Sequence, residues 1–475
     1  MHSGDLMEKQ ENQALRNLPS IDVVLKMVEL QSAGQDIDLE ILTRVVREVK
    51  AQVRAKMMKG KGLDSGKEAL LQEVLNHSVR RLEAIKRPFY QKVINGTGII
   101  LHTALGRAVL APEVLAEIQE ELTGYSRLQI GLGTGQRSRR DEGVETLLCL
   151  LTGAPAATVV NNNAAATAIV LNTVAKDREV IVSRGQLVEI GGEFRLPDVM
   201  AFSGARMIEV GTTNKTHARD YERAITENTA ALLRVHPSNY KIHGFTSEVP
   251  LEEMVQIAHK RGLVLIDDVG AGSLVDMSQF GFEPEPTLPQ SIAAGSDIIT
   301  SSADKLIGAS QGGIILGREE LVGAIRKNQF ARILRVGKLT LAALEATLRL
   351  FLDLKLAQQR VPTLEMILRT QEDLKSTAEF MAARLGNAQI QAEISAAPGF
   401  SQTGSGSLPD QNLATTLLVV GPKNMSAQNL VEKLRRYRPP IITRIQNEQV
   451  LIDPRTLLKG EDAIIVEAFN QILGS

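Results

Sequence analysis

The chain has no tryptophan and one cysteine, and phenylalanine, tyrosine and tryptophan together make up only 3% of its 475 residues. A lone Cys149 excludes an internal disulfide and, with no second thiolate, a zinc cluster of cysteines. In "ETLLCLLTGA" it reads as a core residue. Eighteen uninterrupted apolar residues occur nowhere, so a membrane-spanning helix is not expected. The opening "MHSGDLMEKQENQ" lacks the basic-then-apolar order of a secretory signal, which places the expected home in the cytoplasm. An excess of either charge is missing as well: the formal net charge is −1, so composition alone does not mark a nucleic-acid binder.

What is present is an ordinary globular composition, 43% hydrophobic and 23% charged, in a chain long enough for two or three domains. Residues 1–87 read as helical. Ser20 after Pro19 caps a run with Ile21, Val24, Leu25 and Val28 at helical spacing. A Ser65 to Glu68 capping box opens a second run, with Leu71, Val74, Leu75, Val79 and Leu82, that Pro88 ends. Between them, "RVVREVKAQVRAKMMKGK" holds seven basic residues, Arg44 to Lys61, against Glu48. Arg44, Arg47, Lys50 and Arg54 recur at three- and four-residue spacing, so one helix face is basic; it is a solvated face or a seat for phosphates.

From 88 to 337 the texture is α/β. "ATVVN", "REVIVS", "RMIEVG", "TAALLRV", "GLVLIDD", "DIITSS" and "GGIILG" alternate with amphipathic helical segments, which predicts a mostly parallel sheet buried on both faces. Residues 338–475 have longer helices, then strands around "NAQIQAEI", "ATTLLVV", "PIITRI" and "QVLID", then a last helix from about Glu461: a smaller α+β domain.

Three strand ends carry the chemistry. Asn161, Asn162 and Asn163 turn into an alanine-rich helix, whose first N–H groups make a phosphate seat. "LVLIDDVGAG" ends a buried strand on Asp267 and Asp268, and such carboxylates need a cation. Lys305 then follows Ser302 by three residues, set between Asp304 and a small, apolar run. This order suits pyridoxal phosphate: Lys305 would carry the cofactor, Asp268 would keep its ring nitrogen protonated, and Asn163, Ala164 and Ser302 would hold its phosphate. A structural Lys305–Asp304 ion pair and a nucleotide-site lysine are the competing readings. No Walker-type or Gly-x-Gly-x-x-Gly motif supports the latter.

The blocks "VINGTGIILHTALGRA", "VVNNNAAA", "VIVSRGQLVEIGGEFRLPDVM", "EVGTTNKTHARDY", "RVHPSNYKIHGF", "SADKLIGASQGGIILG", "LTLAALEATLRL" and "GSGSLP" together resemble the bacterial selenocysteine synthases, the L-seryl-tRNA(Sec) selenium transferases. The resemblance runs in order from about Leu18 to the C-terminus. It implies an aspartate-aminotransferase-like, fold-type I enzyme that uses pyridoxal 5'-phosphate. Such an enzyme turns seryl-tRNA(Sec) into selenocysteinyl-tRNA(Sec) with selenophosphate, by β-elimination of water through an aminoacrylyl intermediate. It further implies Lys305 as the catalytic lysine, which takes the Cα proton, and a cofactor set of Asn162, Asn163, Ala164, Arg184, His236, Asn239, Asp268 and Ser302. Arg107, Arg332 and Arg335 would grip the selenium donor, as planar guanidinium forks suit a phosphate-like group. Residues 1–87 would recognise tRNA(Sec) through Arg44, Arg47, Lys50 and Arg54, and the assembly would be a homo-oligomer, a decamer in the family. Ala104, Gly131, Gly133, Ser138, Ala303, Ala309 and Ser310 stand where the family usually has other residues, which bears on substrate choice. Two other functions stay open: a related lyase for a small amino acid or amino sugar, and a tRNA-binding protein whose catalytic site has decayed.

Overall fold

The computed structural model describes residues 15–29, 32–59, 66–191, 194–388, 390–404, 406–408 and 411–474. Lys61 and Ser65, and with Ser65 the expected capping box, lie outside these residues, as does the Val28 side chain. By its contacts the chain falls into two compact units, Met1–Lys92 and Val93–Ser475.

The first unit is helical. Its helices are α1 (Ile21–Glu29), α2 (Leu39–Met58) and α3 (Lys67–Lys86). Ser20 Oγ accepts the Val23 N–H at 3.4 Å, a cap at the predicted place. On α2, Leu42, Val45, Val46, Val49 and Val53 are buried, which turns Arg44, Arg47 and Arg54 to solvent and leaves Lys50 half-buried. The α3 stripe runs through Leu70, Val74, Leu75, Ser78 and Leu82. Leu70, not Leu71, is the fully buried member, and Ser78 satisfies its hydroxyl within the helix by donating to Val74 O at 2.7 Å.

The second unit is organised on a seven-stranded sheet. Its strands are β1 (Ala156–Val160), β2 (Glu179–Ser183), β3 (Arg206–Val210), β4 (Thr229–Val235), β5 (Val264–Gly270), β6 (Ile298–Ser302) and β7 (Gly313–Gly317). All seven predicted runs are strands of this sheet. Their spatial order is β1-β7-β6-β5-β4-β2-β3, and only β7 runs against its neighbours. Both faces are apolar, as predicted: Ile314 and Leu316 join one core cluster while Ile315, between them, joins another. Because β7 is antiparallel to both β1 and β6, the carboxyl ends of β1, β4, β5 and β6 share one edge. Asn162, His236, Asp268 and Ser302 are thereby gathered at that edge from positions up to 140 residues apart.

A four-stranded antiparallel sheet, β8 (Ala392–Gln402), β9 (Asn412–Pro422), β10 (Arg444–Gln446) and β11 (Gln449–Ile452), has the order β8-β9-β11-β10. Strand β8 is longer than "NAQIQAEI" suggests and starts later. Pro398 and Gly399 disguise it in the sequence, yet they are tolerated because β8 is an edge strand with one side free of the ladder.

Candidate active site

Helix α4 (Asn163–Ala175) leaves β1 through the Asn162 turn. Asn162 is its N-cap, and its side chain accepts the Ala165 N–H at 2.9 Å. The Asn163 and Ala164 N–H groups have no acceptor among the described residues, as the start of a helix leaves them. Gly313 of β7 makes this turn fit: a Cβ there would lie 2.0 Å from the Asn162 carbonyl oxygen.

Asp267 and Asp268, alike in sequence, have opposite fates because neighbouring strand residues face opposite sides of a sheet. Asp267 is paired with Arg234 at 2.8 Å and accepts from Ser291 Oγ at 2.7 Å. Asp268, also buried, accepts from Asn163 Nδ2 at 2.8 Å, Thr167 Oγ1 at 3.1 Å and the Gly270 N–H at 3.2 Å. Burial raises its carboxyl above the usual range, and the Asn163, Thr167 and Gly270 bonds pull the other way. Among the described residues no cation lies within ion-pair distance of it. Thr167 escaped the sequence reading, though it stands four residues from Asn163 on one helix face.

Lys305 sits in the loop between β6 and β7, which Ala303 N–H to Gly312 O closes at 2.9 Å. It is 4% exposed. Burial and then the Arg107 guanidinium lower its amine to about 8, against the pull of Asp304 and Asp268. Arg107 Nη1 is paired with Asp304 Oδ2 at 2.8 Å. The ion pair considered for Lys305 is therefore made by Arg107, which leaves the buried lysine amine without an ion-pair partner among the described residues. Of the unusual positions beside it, Ala303 and Ala309 belong to the apolar core, and Ser310 Oγ donates to Thr340 O at 2.9 Å.

Other expected residues are placed as follows. Ser302 ends β6 and is buried. The His236 N–H donates to Asp268 O at 2.9 Å, and its ring nitrogen Nε2 is bonded to Glu285 at 2.8 Å; Glu285, 49 residues away, left no signal in the sequence. His236 lines a cavity of about 630 Å³ with Ser183, Arg234 and Tyr240. The Asn239 side chain donates to Glu189 O at 2.8 Å. Arg184 is half-exposed, bonded to Gly211 O and 3.4 Å from Glu209. Arg332 and Arg335 line a cavity of about 430 Å³ whose lining does not include Arg107. Arg335 pairs with Val160 and Leu334 O accepts the Asn161 N–H at 3.1 Å, so this cavity abuts the asparagine turn.

The edge fits pyridoxal phosphate on three observations. A buried primary amine is held near neutrality, a buried carboxylate lacks a cation, and two free N–H groups start a helix. Buried Asn163 Oδ1, Ser238 Oγ and Ser301 Oγ also have no partner among the described residues. Unpaired polar atoms are costly to bury, so a polar group belongs beside them.

Comparison with known proteins agrees with this chemistry. The family model for L-seryl-tRNA selenium transferase matches residues 93–458. An L-seryl-tRNA(Sec) selenium transferase of Desulfomicrobium baculatum is 44% identical over 459 residues, covering 96% of this chain and 98% of the relative. One of Clostridium botulinum (strain Loch Maree / Type A3) is 43% identical, covering 98% and 99%. One of Nitratidesulfovibrio vulgaris is 43% identical, covering 98% and 100%. Among solved structures, D-glucosaminate-6-phosphate ammonia-lyase superposes with a TM-score of 0.55 at 23% identity, over 82% of this chain and 98% of that one, which shows a shared fold.

Proposed function

The chain belongs to the L-seryl-tRNA selenium transferase family, and from that premise we propose that it converts L-seryl-tRNA(Sec) to L-selenocysteinyl-tRNA(Sec) with selenophosphate as donor. The observation that carries the reading is the buried Lys305 amine, lowered to about 8 and therefore in part a free base near neutral pH.

Pyridoxal 5'-phosphate would be held by Lys305, with Asp268 at its ring nitrogen, His236 beside the ring and the Asn162, Asn163, Ala164 and Ser302 edge at its phosphate. When bound, it supplies an electron sink for the bond changes at the seryl Cα and Cβ. Asn163 and Thr167 orient the Asp268 carboxylate, so it needs no reorganisation to meet a cation. The Lys305 amine, once free of the cofactor, is the base for the seryl Cα proton. Arg107 neutralises Asp304 beside it, and Arg332 and Arg335 supply positive charge for the selenium donor. Arg184 and Asn239, tied to Gly211, Glu209 and Glu189, act as supports of the loops around the site rather than as direct contacts.

Residues 1–87 are the tRNA-binding part of this reading, 88–337 the cofactor domain and 338–475 the smaller domain. Arg44 is paired with Glu40 at 3.2 Å, so Arg47, Lys50 and Arg54 carry more of the α2 face's free charge. A cytoplasmic homo-oligomer completes the proposal. A lyase for a small amino acid or amino sugar would not need the first unit, which the relatives share across nearly their whole length. Retention of Lys305, Asp268 and the arginines together opposes a decayed site.

The test is conversion in vitro. Protein with pyridoxal phosphate, seryl-tRNA(Sec) and selenophosphate should yield selenocysteinyl-tRNA, and seryl-tRNA(Ser) should not react. No turnover of seryl-tRNA(Sec), with elimination from a free amino acid or amino sugar instead, overturns the assignment.

A further inference from the structure

The cavity of about 430 Å³ beside the asparagine turn has an uneven charge. Asp141 is the only carboxylate in its lining, against seven basic side chains. Two of the seven are already neutralised: Arg326 is 2.8 Å from Glu145, and Arg139 is bonded to the same carboxylate. Arg137, Arg140, Lys327, Arg332 and Arg335 have no ion-pair partner among the described residues. Arg140 is half-buried and the other four reach solvent, and like charges gathered around one concavity repel one another unless an anion enters.

Their arrangement is built rather than incidental. The 129–138 segment folds back on itself, with Gly131 N–H to Gln136 O at 2.9 Å, Ser138 N–H to Gln129 O at 3.2 Å and an Ile130–Arg137 bridge. Arg140 ties this segment to the opposite wall: Nη1 donates to Val336 O at 2.9 Å and Nη2 to Gln129 Oε1 at 3.3 Å. Val336 follows Arg335, so the two walls are held at a fixed separation. Burial, then Arg335 and Arg332, lower the Arg140 guanidinium from its usual range, consistent with cations facing one another across the space.

We propose that Arg137 and Arg140 complete, with Arg332 and Arg335, a four-guanidinium seat for a small tetrahedral phosphoryl anion. Arg137, exposed like Arg332 and Arg335, is a direct contact, and half-buried Arg140 is the residue that positions the opposite wall. This rests on the reading of Arg332 and Arg335 as the donor's seat and adds a second wall to it. The ligand class is a free phosphate-type oxyanion, because the cavity is concave and small, whereas a nucleic-acid backbone would require a charge track along an open surface.

The experiment uses holoenzyme and inorganic phosphate as probe, by titration calorimetry, together with steady-state kinetics in the selenium donor. Arg137→Gln should weaken phosphate binding by about tenfold, the loss of one charge-assisted contact, and raise the donor KM similarly while kcat stays within about twofold. Arg137→Lys should recover part of the affinity. Arg140→Gln should lower kcat as well, because the wall it anchors moves; circular dichroism controls for its folding. Phosphate affinity unchanged in Arg137→Gln but lost in Arg332→Gln overturns this inference and leaves the donor seat standing. Phosphate that fails to bind wild type overturns both. Weakened tRNA binding by Arg137→Gln with phosphate affinity intact also overturns the inference, since the segment would then serve the RNA.

Discussion

The Arg107 guanidinium donates to Asp304 Oδ2 at 2.8 Å, and the residue after Asp304 is Lys305. One ion pair thus flanks the amine on which the proposed chemistry depends, and its two members push that amine in opposite directions.

The pair makes the Lys305 midpoint tunable with a defined sign. Replacing Arg107 by Met removes a nearby positive charge and frees Asp304, so the midpoint should rise above about 8; Asp304→Asn should lower it. The pH dependence of pyridoxal phosphate attachment to cofactor-free protein, followed by absorbance, reads this directly. Shifts in the same direction for both variants would refute the electrostatic account.

Stability should carry the same signature. With a folded value of about 8 against an ordinary 10.5, the unfolded chain binds more protons between those limits, so stability rises with pH across that window. Below about pH 8 the buried charge costs on the order of 3 kcal/mol. In urea unfolding of the cofactor-free protein, Lys305→Met should therefore gain most over wild type at pH 7, and the gap should shrink towards pH 10.5. The same variant should lose about 10²-fold or more in turnover.

Asp268 depends on its two side-chain donors. Asn163→Ala or Thr167→Val leaves a buried carboxylate short of a hydrogen bond, at a cost of about 1–3 kcal/mol. Either should raise the Asp268 proton affinity further and weaken cofactor retention, measured by dialysis and cofactor absorbance. Retention equal to wild type in both variants would show that Asp268 does not hold the cofactor.

Asn162 has a separate, local role. Asn162→Ala removes the α4 cap and should cost about 0.5–2 kcal/mol in urea denaturation, while Asn162→Ser should recover most of it.

On α2, a combined Arg47→Ala, Lys50→Ala and Arg54→Ala variant should weaken tRNA binding and flatten its salt dependence by roughly two to three counterions. Cofactor absorbance should be unaffected. A salt slope equal to wild type would remove this face from the RNA contact.

Much of the fold was legible because each central strand is a short, β-branched run buried on both faces, a pattern no surface segment needs. Strand β8 was only partly legible, because Pro398 and Gly399 read as breakers unless the strand is known to lie at an edge. The candidate cofactor edge was legible at Asn162, Asp268 and Lys305 because the proposed phosphate, ring-nitrogen and carbonyl-carbon contacts each call for a distinct residue type. Asn163 was read as a phosphate contact by position; its Nδ2 also donates to Asp268, a bond that spacing along the chain did not show. In the "GQRSRRD" stretch the sequence singled out Ser138, and Arg137 and Arg140 went unread because only the fold brings them to one cavity.

By itself, then, the sequence determined the alternation of strands and helices, the candidate lysine and acid of the proposed site, and the basic face of α2. These follow from local periodicity and residue chemistry, which act over a few positions. Tertiary structure alone decided which of Asp267 and Asp268 meets Arg234, that Arg107 and not Lys305 pairs with Asp304, and that Arg137 and Arg140 share a cavity with Arg332 and Arg335. Each of those outcomes depends on which face of a strand a side chain leaves from, or on groups nearly 200 residues apart being brought within a few ångströms. Spacing along the chain carries no information about either.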